Sequence, residues 1–338
     1  MQASKTSLAA PFRRNALARG ASLLLGITLA SNVLAQTTDA KWPARPIRLV
    51  TPFSAGGPGD DTARLIAHGL SKALGQSVVV DNKPGAGSII GADAVAKAAP
   101  DGYTLLAAAN GTLINSLIRN KMPYAAADLV PVTGVSSSPS LLVIDPQIKA
   151  TNLKELQAFA KSDKNGLFFA TTGIGSTSHF SGEMLKASMG VPLTFVQYKS
   201  GGESSLALLA RQVQLLSEVP SVGMVALAKS GKVRALAVAS DRRLPQLPEV
   251  PTTAEAGFPE IRMTHWLGLM APKGTPPEVL DRINSAVQNF ISSREVRETM
   301  AASNSEPMLG DRAQFTRFID IENKRLGKIA TDLKILAQ

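Results

Sequence analysis

The chain has 338 residues, 44% of them hydrophobic and 18% charged, a formal net charge of +10 and no cysteine. This composition excludes a disordered chain and supplies enough apolar mass for two core-bearing lobes. Without cysteine there are no disulfides, no thiolate chemistry, no lipoprotein anchor and no Cys-ligated metal.

Residues 1–35 read as a secretory signal peptide. Lys5, Arg13, Arg14 and Arg19 precede the apolar run Ala21 to Leu34, and cleavage near Ala35 leaves Gln36 first. The apolar part is short for a membrane span, and Arg13-Arg14 keeps twin-arginine export open beside the general route. Its loss removes four positive charges and no negative ones, so the formal charge falls from +10 to +6. The remaining Lys and Arg are scattered, and only three Tyr and two Trp occur. Nucleic-acid binding is not expected; a mild positive field favours small anions. No later apolar run approaches ~18 residues, so the exported chain is expected to be soluble.

Ile47 to Val50 reads as a strand, Pro52 stops it, and Gly56, Gly57 and Gly59 lead to Asp60, a cap for the helix that follows. Glycines there let the backbone approach a guest, and a helix N-terminus offers free N–H groups and partial positive charge. An anion, carboxylate or phosphate, is the natural guest. The alternative is an ordinary strand-to-helix turn that happens to carry glycines. The helix places Ala63, Ile66, Ala67, Leu70, Ala73 and Leu74 on one face, His68 on the solvent side, and ends at Gly75. A second strand, Ser77 to Val80, runs into the glycine loop Lys83 to Ser88, which opens a helix over Ile89 to Ala98. A third strand, Tyr103 to Ala108, ends at the loop Asn110-Gly111-Thr112. Parallel strands joined by helices put such loops on one sheet edge, where α/β proteins bind ligands.

Val132 to Ile144 reads as extended segments broken once, with prolines at 131, 139 and 146, and carries a crossing between lobes. The pattern then restarts with a helix (Leu153 to Ser162) and a strand (Leu167 to Ala170), followed by the loop Thr171 to Ser178 and a helix through Phe180, Met184, Leu185 and Met189. A strand (Leu193 to Gln197), the loop Tyr198 to Gly202 and a helix through Leu206 come next. Another strand (Val213 to Leu216), Glu218 to Pro220, a helix to Lys229 and a strand (Val233 to Ala239) complete this part. Such alternation predicts a mostly parallel sheet. Met263 to Ala271 is extended and carries the chain back; Thr275-Pro276-Pro277-Glu278 then starts a helix, and the remainder is helical. The expected fold is α/β with two lobes and a ligand cleft between them. Residues 36–138 form the first lobe, 139–263 the second, and 264–338 return to the first.

Gly173-Ile174-Gly175-Ser176-Thr177-Ser178 falls short of a dinucleotide fingerprint: Ser178 replaces the third glycine, and the next strand ends at Tyr198-Lys199 instead of an acidic residue. What survives is a set of N–H groups with the Ser176 and Thr177 hydroxyls aimed at an anion, or hydroxyls that only cap the helix. There is no phosphate-binding P-loop, no His-Glu-x-x-His and no Gly-x-Ser-x-Gly, so no metal, cofactor or enzyme activity is expected. His179 either donates to a ligand oxygen or packs and caps. Asp60 and Asp61, as helix neighbours, diverge and cannot act as an acid–base pair; Asp60 is a cap or the partner of a ligand amine or hydroxyl. Lys199 is a ligand cation or a solvated lysine.

Several stretches carry a resemblance: Pro46-Ile47-Arg48-Leu49-Val50-Thr51-Pro52-Phe53-Ser54-Ala55-Gly56-Gly57 with Asp60, Asn82-Lys83-Pro84-Gly85-Ala86-Gly87, Pro100-Asp101-Gly102-Tyr103-Thr104, and Ala271-Pro272-Lys273-Gly274-Thr275-Pro276-Pro277-Glu278. Over essentially the whole exported chain, and in order, the sequence resembles the Bug (TctC-like) solute-binding proteins of tripartite tricarboxylate transporters. The resemblance implies a monomeric periplasmic receptor that closes on a small carboxylate, organic acid or amino acid, and delivers it to membrane permease subunits. A sensory role with a sensor kinase as partner is the alternative, and an exported hydrolase or isomerase a further one. The family's use of backbone N–H groups and hydroxyls points to Phe53, Ser54, Ala55, Gly56, Gly57, Gly87, Ser88, Asn110, Gly111 and Thr112. Across the cleft it points to Thr171, Gly173, Gly175, Ser176, Thr177 and His179; Asp60 in the first lobe and Tyr198 and Glu218 in the second are further candidate ligand residues. Pro58-Gly59 departs from the family pattern, as does Glu218 where aspartate is usual; the longer side chain reaches further toward a ligand amine or hydroxyl.

Overall fold

The computed structural model describes residues 42–163 and 166–336, so the signal peptide assigned to residues 1–35 lies outside the described residues. The architecture below belongs to the unit that begins at Arg45. Its first strand, β1 (Ile47–Thr51), leads to α1 (Pro58–Leu74), which starts with proline in its first turn and ends at Gly75 in a left-handed conformation. Ala63, Ile66, Ala67, Leu70 and Leu74 are buried as the spacing requires, whereas Ala73 is exposed. β2 (Val78–Asn82), α2 (Ile89–Ala96) and β3 (Thr104–Ala109) follow. Residues Asn110 to Thr112, expected as a loop, form the first turn of α3 (Asn110–Ile118), whose Leu113, Ile114 and Ile118 are buried in the core.

The central element is β4 (Leu129–Ile144), a 16-residue strand. Its prolines do not break it; register shifts between Pro131 and Thr133 and between Gly134 and Ser136 absorb the irregularity. The second half of the chain adds α4 (Leu153–Ser162), β5 (Leu167–Thr171), α5 (Thr177–Met189), β6 (Leu193–Gln197), α6 (Gly201–Leu209), β7 (Leu215–Glu218), α7 (Val222–Lys229) and β8 (Arg234–Ala239). β9 (Thr264–Pro272), α8 (Pro277–Ile291), α9 (Arg294–Ala302), β10 (Glu306–Pro307) and α10 (Arg312–Asp332) complete it.

Strand pairing divides this unit into two lobes. β1 runs parallel to β2 and β3, and β5 runs parallel to β6 and β7. β4 pairs antiparallel with β9 from Leu129 to Pro139, then with β7 and β8 from Ser140 to Ile144. Each sheet is therefore mixed: helix-connected strands run parallel, but the chain traverses the molecule outward along β4 and back along β9, and opposite traverses pair antiparallel. One core gathers Val50, Leu106, Ile114, Trp266, Phe315 and Leu326, seating α10 on the first lobe. In the second lobe β4 presents Leu142 and Ile144 to one core and Leu141 and Val143 to another, the period-two alternation of a strand covered on both faces.

Candidate functional site

A cleft of about 1540 Å³ lies between the loop rows of the two lobes. Of the residues expected to meet a ligand, Phe53, Ser54, Gly56, Gly57, Gly87, Ser88, Asn110 and Gly111 line it from the first lobe. Gly173, Ser176, Thr177, Tyr198 and Glu218 line it from the second. Ala55, Asp60, Thr112, Thr171, Gly175 and His179 do not.

The physical reasons differ. Ala55 sits exposed on the outside of its loop. Asp60 is 1% exposed and fully engaged: one oxygen accepts from the Gly56 N–H at 2.9 Å and from Arg64 Nε at 2.8 Å, the other from Asn82 Nδ2 at 2.7 Å. Burial alone would raise its pKa, but these donors outweigh burial and hold the carboxyl below its ordinary value. Asp60 thus fixes the glycine loop through the Gly56 N–H, and Asn82 supports the same loop by donating to the Phe53 carbonyl at 3.0 Å. Asp60→Ala is expected to cost about 3 kcal/mol of stability by stranding those donors. A urea midpoint that does not move would refute this.

Thr112 and Thr171 are buried. The Ser176 hydroxyl caps α5, accepting from the His179 N–H at 3.2 Å, while still lining the cleft. His179 packs its ring against Phe195 at 5.1 Å, and burial, followed by the charge of Lys186, pushes its pKa down to about 4. The ring is packed, and its Nδ1 has no hydrogen-bond partner among the described residues. The side chain of Asn110 also faces away from a ligand role: it donates to the Thr264 carbonyl at 2.9 Å and accepts from the Trp266 N–H at 3.1 Å, tying α3 to β9.

Gly175 meets the other lobe. It has φ +83°, and a Cβ there would lie 2.4 Å from Asn115 Oδ1. Asn115 is fully buried; its Nδ2 donates to the Gly87 carbonyl at 2.6 Å and the Gly111 carbonyl at 2.8 Å, and lies 3.4 Å from the Gly175 carbonyl. Three glycine-bearing segments from two lobes therefore converge on one amide. The sequence reading missed Asn115 because it did not recognise α3; the four-residue step from Gly111 is visible only once those residues are a helix.

The cleft floor was missed as well. Ser136 and Ser138 of β4 and His265, Trp266 and Leu267 of β9 line it, with Ser138 directly opposite His265. Serines at 136, 138 and 140 share one strand face, a signal that period-two reading can find. His265 Nε2 and Ser140 Oγ are 2.7 Å apart, and burial pushes the imidazole down to about 4, leaving it neutral at pH 7. Glu218 abuts the start of α6, where a Cβ on Gly201 would lie 3.0 Å from its Oε2. Burial raises its pKa to about 7, against the lowering effect of the Val219 N–H. Among the described residues no group of three or more His, Asp and Glu is placed to hold a metal. No helix among them is long and apolar enough to cross a membrane.

Two α/β lobes joined by crossing strands, with a glycine-lined cleft between them, define a solute-binding protein of the periplasmic receptor class. Residues 62–335 match the family described as the Tripartite tricarboxylate transporter family receptor, TctC, and the chain belongs to that family. It is 36% identical over 307 residues to Protein BugT of Bordetella pertussis, covering 89% of this chain and 94% of the relative. Among solved structures it is similar to R. palustris Rpa4515 with adipate, with TM-score 0.82 and 34% identity over 87% of this chain and 99% of that one. It is also similar to MatC from Rhodopseudomonas palustris with bound malate, with TM-score 0.79 and 31% identity over 85% and 99% of the two chains. The family is one of receptors, so the chain is a binding protein and not an enzyme.

Proposed function

We propose that this protein is exported to the periplasm and, as a monomer, captures a small organic acid in the interlobe cleft for delivery to the permease subunits of a tripartite transporter. The observation that carries this reading is the convergence of three N–H-rich elements on one cleft: the Phe53–Gly57 loop, the Gly87–Ser88 turn and the start of α3 face the Gly173–Thr177 loop of the other lobe. The N-terminus of α1 has no side-chain cap, so its N–H groups are left for a carboxylate. Adipate and malate bound to the two similar structures support the same ligand class. The lobes close about the crossings near Pro139 and Met263, where β4 changes partners and Ser140 donates to the Met263 carbonyl at 3.0 Å. Each charge-assisted hydrogen bond in the closed cleft is worth roughly 1.5–3 kcal/mol, so several give micromolar affinity.

The test is thermal unfolding of the exported protein against mono-, di- and tricarboxylates, amino acids and aromatic acids. An acid at about a hundred times its dissociation constant adds about 2.7 kcal/mol, several degrees of melting temperature. If no acid shifts the melting point, and mass spectrometry of denatured protein finds no trapped acid, the reading fails.

A further inference from the structure

Two covalent crossings join the lobes, along β4 near Pro139 and along β9 near Met263, and a third, non-covalent connection lies beside them. It is made by α9 and β10, a segment whose Thr299, Met300, Ser303 and Ser305 line the cleft. The sequence builds it as a helix that turns back into a strand. α9 buries Val296 and Met300, and Asn304 then takes φ +52°, a left-handed conformation that asparagine tolerates better than most residues. β10 follows and pairs antiparallel with β4, Glu306 opposite Ser137 and Pro307 opposite Ser136.

On the first-lobe side the segment is well fastened. Ser138 Oγ donates to the Asn304 carbonyl at 2.8 Å, Ser305 Oγ to the Ser137 carbonyl at 3.4 Å, and the Met308 N–H to the Val135 carbonyl at 3.1 Å. All three partners on β4 lie in the stretch that pairs with β9, just short of the change of partners at Ser140. Three ties reach the second lobe. Asn304 Nδ2 donates to the Pro220 carbonyl at 3.0 Å, Gln246 Nε2 donates to the Ala301 carbonyl at 3.1 Å, and Arg242 pairs with Glu306. These ties are unequal. Arg242 and Glu306 are both mostly exposed, and an exposed ion pair contributes little. Asn304 and Pro220 are buried, and a hydrogen bond between buried groups is strengthened by its low-dielectric surroundings, so the Asn304 tie dominates. Pro220 also stands between Val219 and Ser221, as Asn304 stands between Ser303 and Ser305. All four flanking residues line the cleft, so this one bond joins two pieces of its wall.

We propose that α9 and β10 form a strap, latched by Asn304 on Pro220, that draws the second lobe toward the first and sets how readily the cleft closes. The inference rests on the receptor reading above. A hinge of two strands bends and twists; the strap adds a third point of attachment that favours the closed arrangement. Where the closed state is the minor one, apparent affinity falls in proportion to its population. The latch therefore tunes acid binding although Asn304 does not itself line the cleft.

The experiment compares the parent with Asn304→Gly, which permits the same left-handed turn and removes the latch. Small-angle X-ray scattering gives the ligand-free radius of gyration, and calorimetric titration with succinate, citrate, benzoate and glutamate gives the affinity. If the ligand-free parent is mostly closed, the variant has the larger radius. If the parent is mostly open, the variant keeps its radius and binds roughly three- to tenfold more weakly. One of the two readouts has to change. Two results overturn the inference: radius and affinity both stay as they were, even if the urea midpoint falls, or the variant becomes more compact and binds more tightly. The first makes Asn304 a local stabiliser of its turn, and the second makes it a spacer that holds the lobes apart. Should Asn304→Gly fail to fold, Gln246→Ala removes another tie of the same strap and is read in the same way, with a change of about twofold. Failure of every acid to bind, here and in the melting panel alike, overturns the receptor reading, and the ligand-free radius then decides on the strap by itself.

Discussion

Gly175→Ala is expected to weaken acid binding by roughly thirtyfold or more, whereas Gly173→Ala should leave affinity nearly unchanged. Both glycines have positive φ, +83° and +108°, so an alanine at either strains the loop and lowers stability by roughly 1–3 kcal/mol. The difference lies across the cleft. A Cβ at Gly173 meets nothing within 4 Å, but one at Gly175 lies 2.4 Å from Asn115 Oδ1 and 2.8 Å from its Cγ. Asn115 cannot simply turn aside, because its amide is held by Gly87, Gly111 and Arg119. Displacing it leaves buried polar groups unpaired at a cost of about 2–4 kcal/mol. That overlap exists only while the lobes are together, so it taxes the closed state and appears in affinity; backbone strain is present in open and closed states alike and largely cancels. Titration calorimetry with the best-binding acid, paired with urea unfolding, separates the two effects. Equal affinities for the two variants would show that the Asn115 contact does not govern closure.

Stability is expected to climb between pH 4 and 6.5, and Glu218→Gln should make the protein more stable at pH 8. Burial pushes His179 and His265 down to about 4 from an ordinary 6.5. As pH falls through that window the unfolded chain takes up protons that the folded chain refuses. Each histidine therefore removes on the order of 3 kcal/mol by pH 4. Glu218 has the opposite sign. Burial raises its carboxyl to about 7 from 4.5, so the folded state holds the extra proton in that interval. Stability then falls as pH rises from 4.5 to 7, by on the order of 3 kcal/mol. Two histidines outweigh one glutamate, which places the maximum near pH 6.5. Glutamine at 218 removes the alkaline loss and has little effect below pH 4.5. Anion binding should follow: above pH 7 a charged Glu218 repels an incoming acid, so affinity falls in the parent and stays level in the variant. Urea unfolding from pH 4 to 8 is the measurement, and a variant no more stable than the parent at pH 8 would falsify the assignment of a strained carboxylate.

The sequence by itself determined the local grammar of this protein. Glycine punctuation ends α1 at Gly75 as expected, because a left-handed stop depends on the residue and its immediate neighbours, whereas the helix starts at Pro58, ahead of the Asp60 expected to cap it. The repeated strand, glycine loop and helix units announced two α/β lobes, and most of the loop residues singled out for an anion border the cleft. Only the tertiary structure decided what each loop side chain faces. Asp60 was legible as an acid beside a glycine turn, yet its partner Asn82 stands on another strand and engages the carboxylate oxygen that the loop leaves over. Asn110 is tied to Trp266, 156 residues away, and Asn115 to Gly175, 60 residues away. The cleft floor likewise exists because β4 and β9 cross side by side, setting Ser138 opposite His265. Propensity and capping act over a few residues and can be read along the chain; burial and pairing between distant segments are properties of packing, and packing alone selects which polar groups remain free for a ligand.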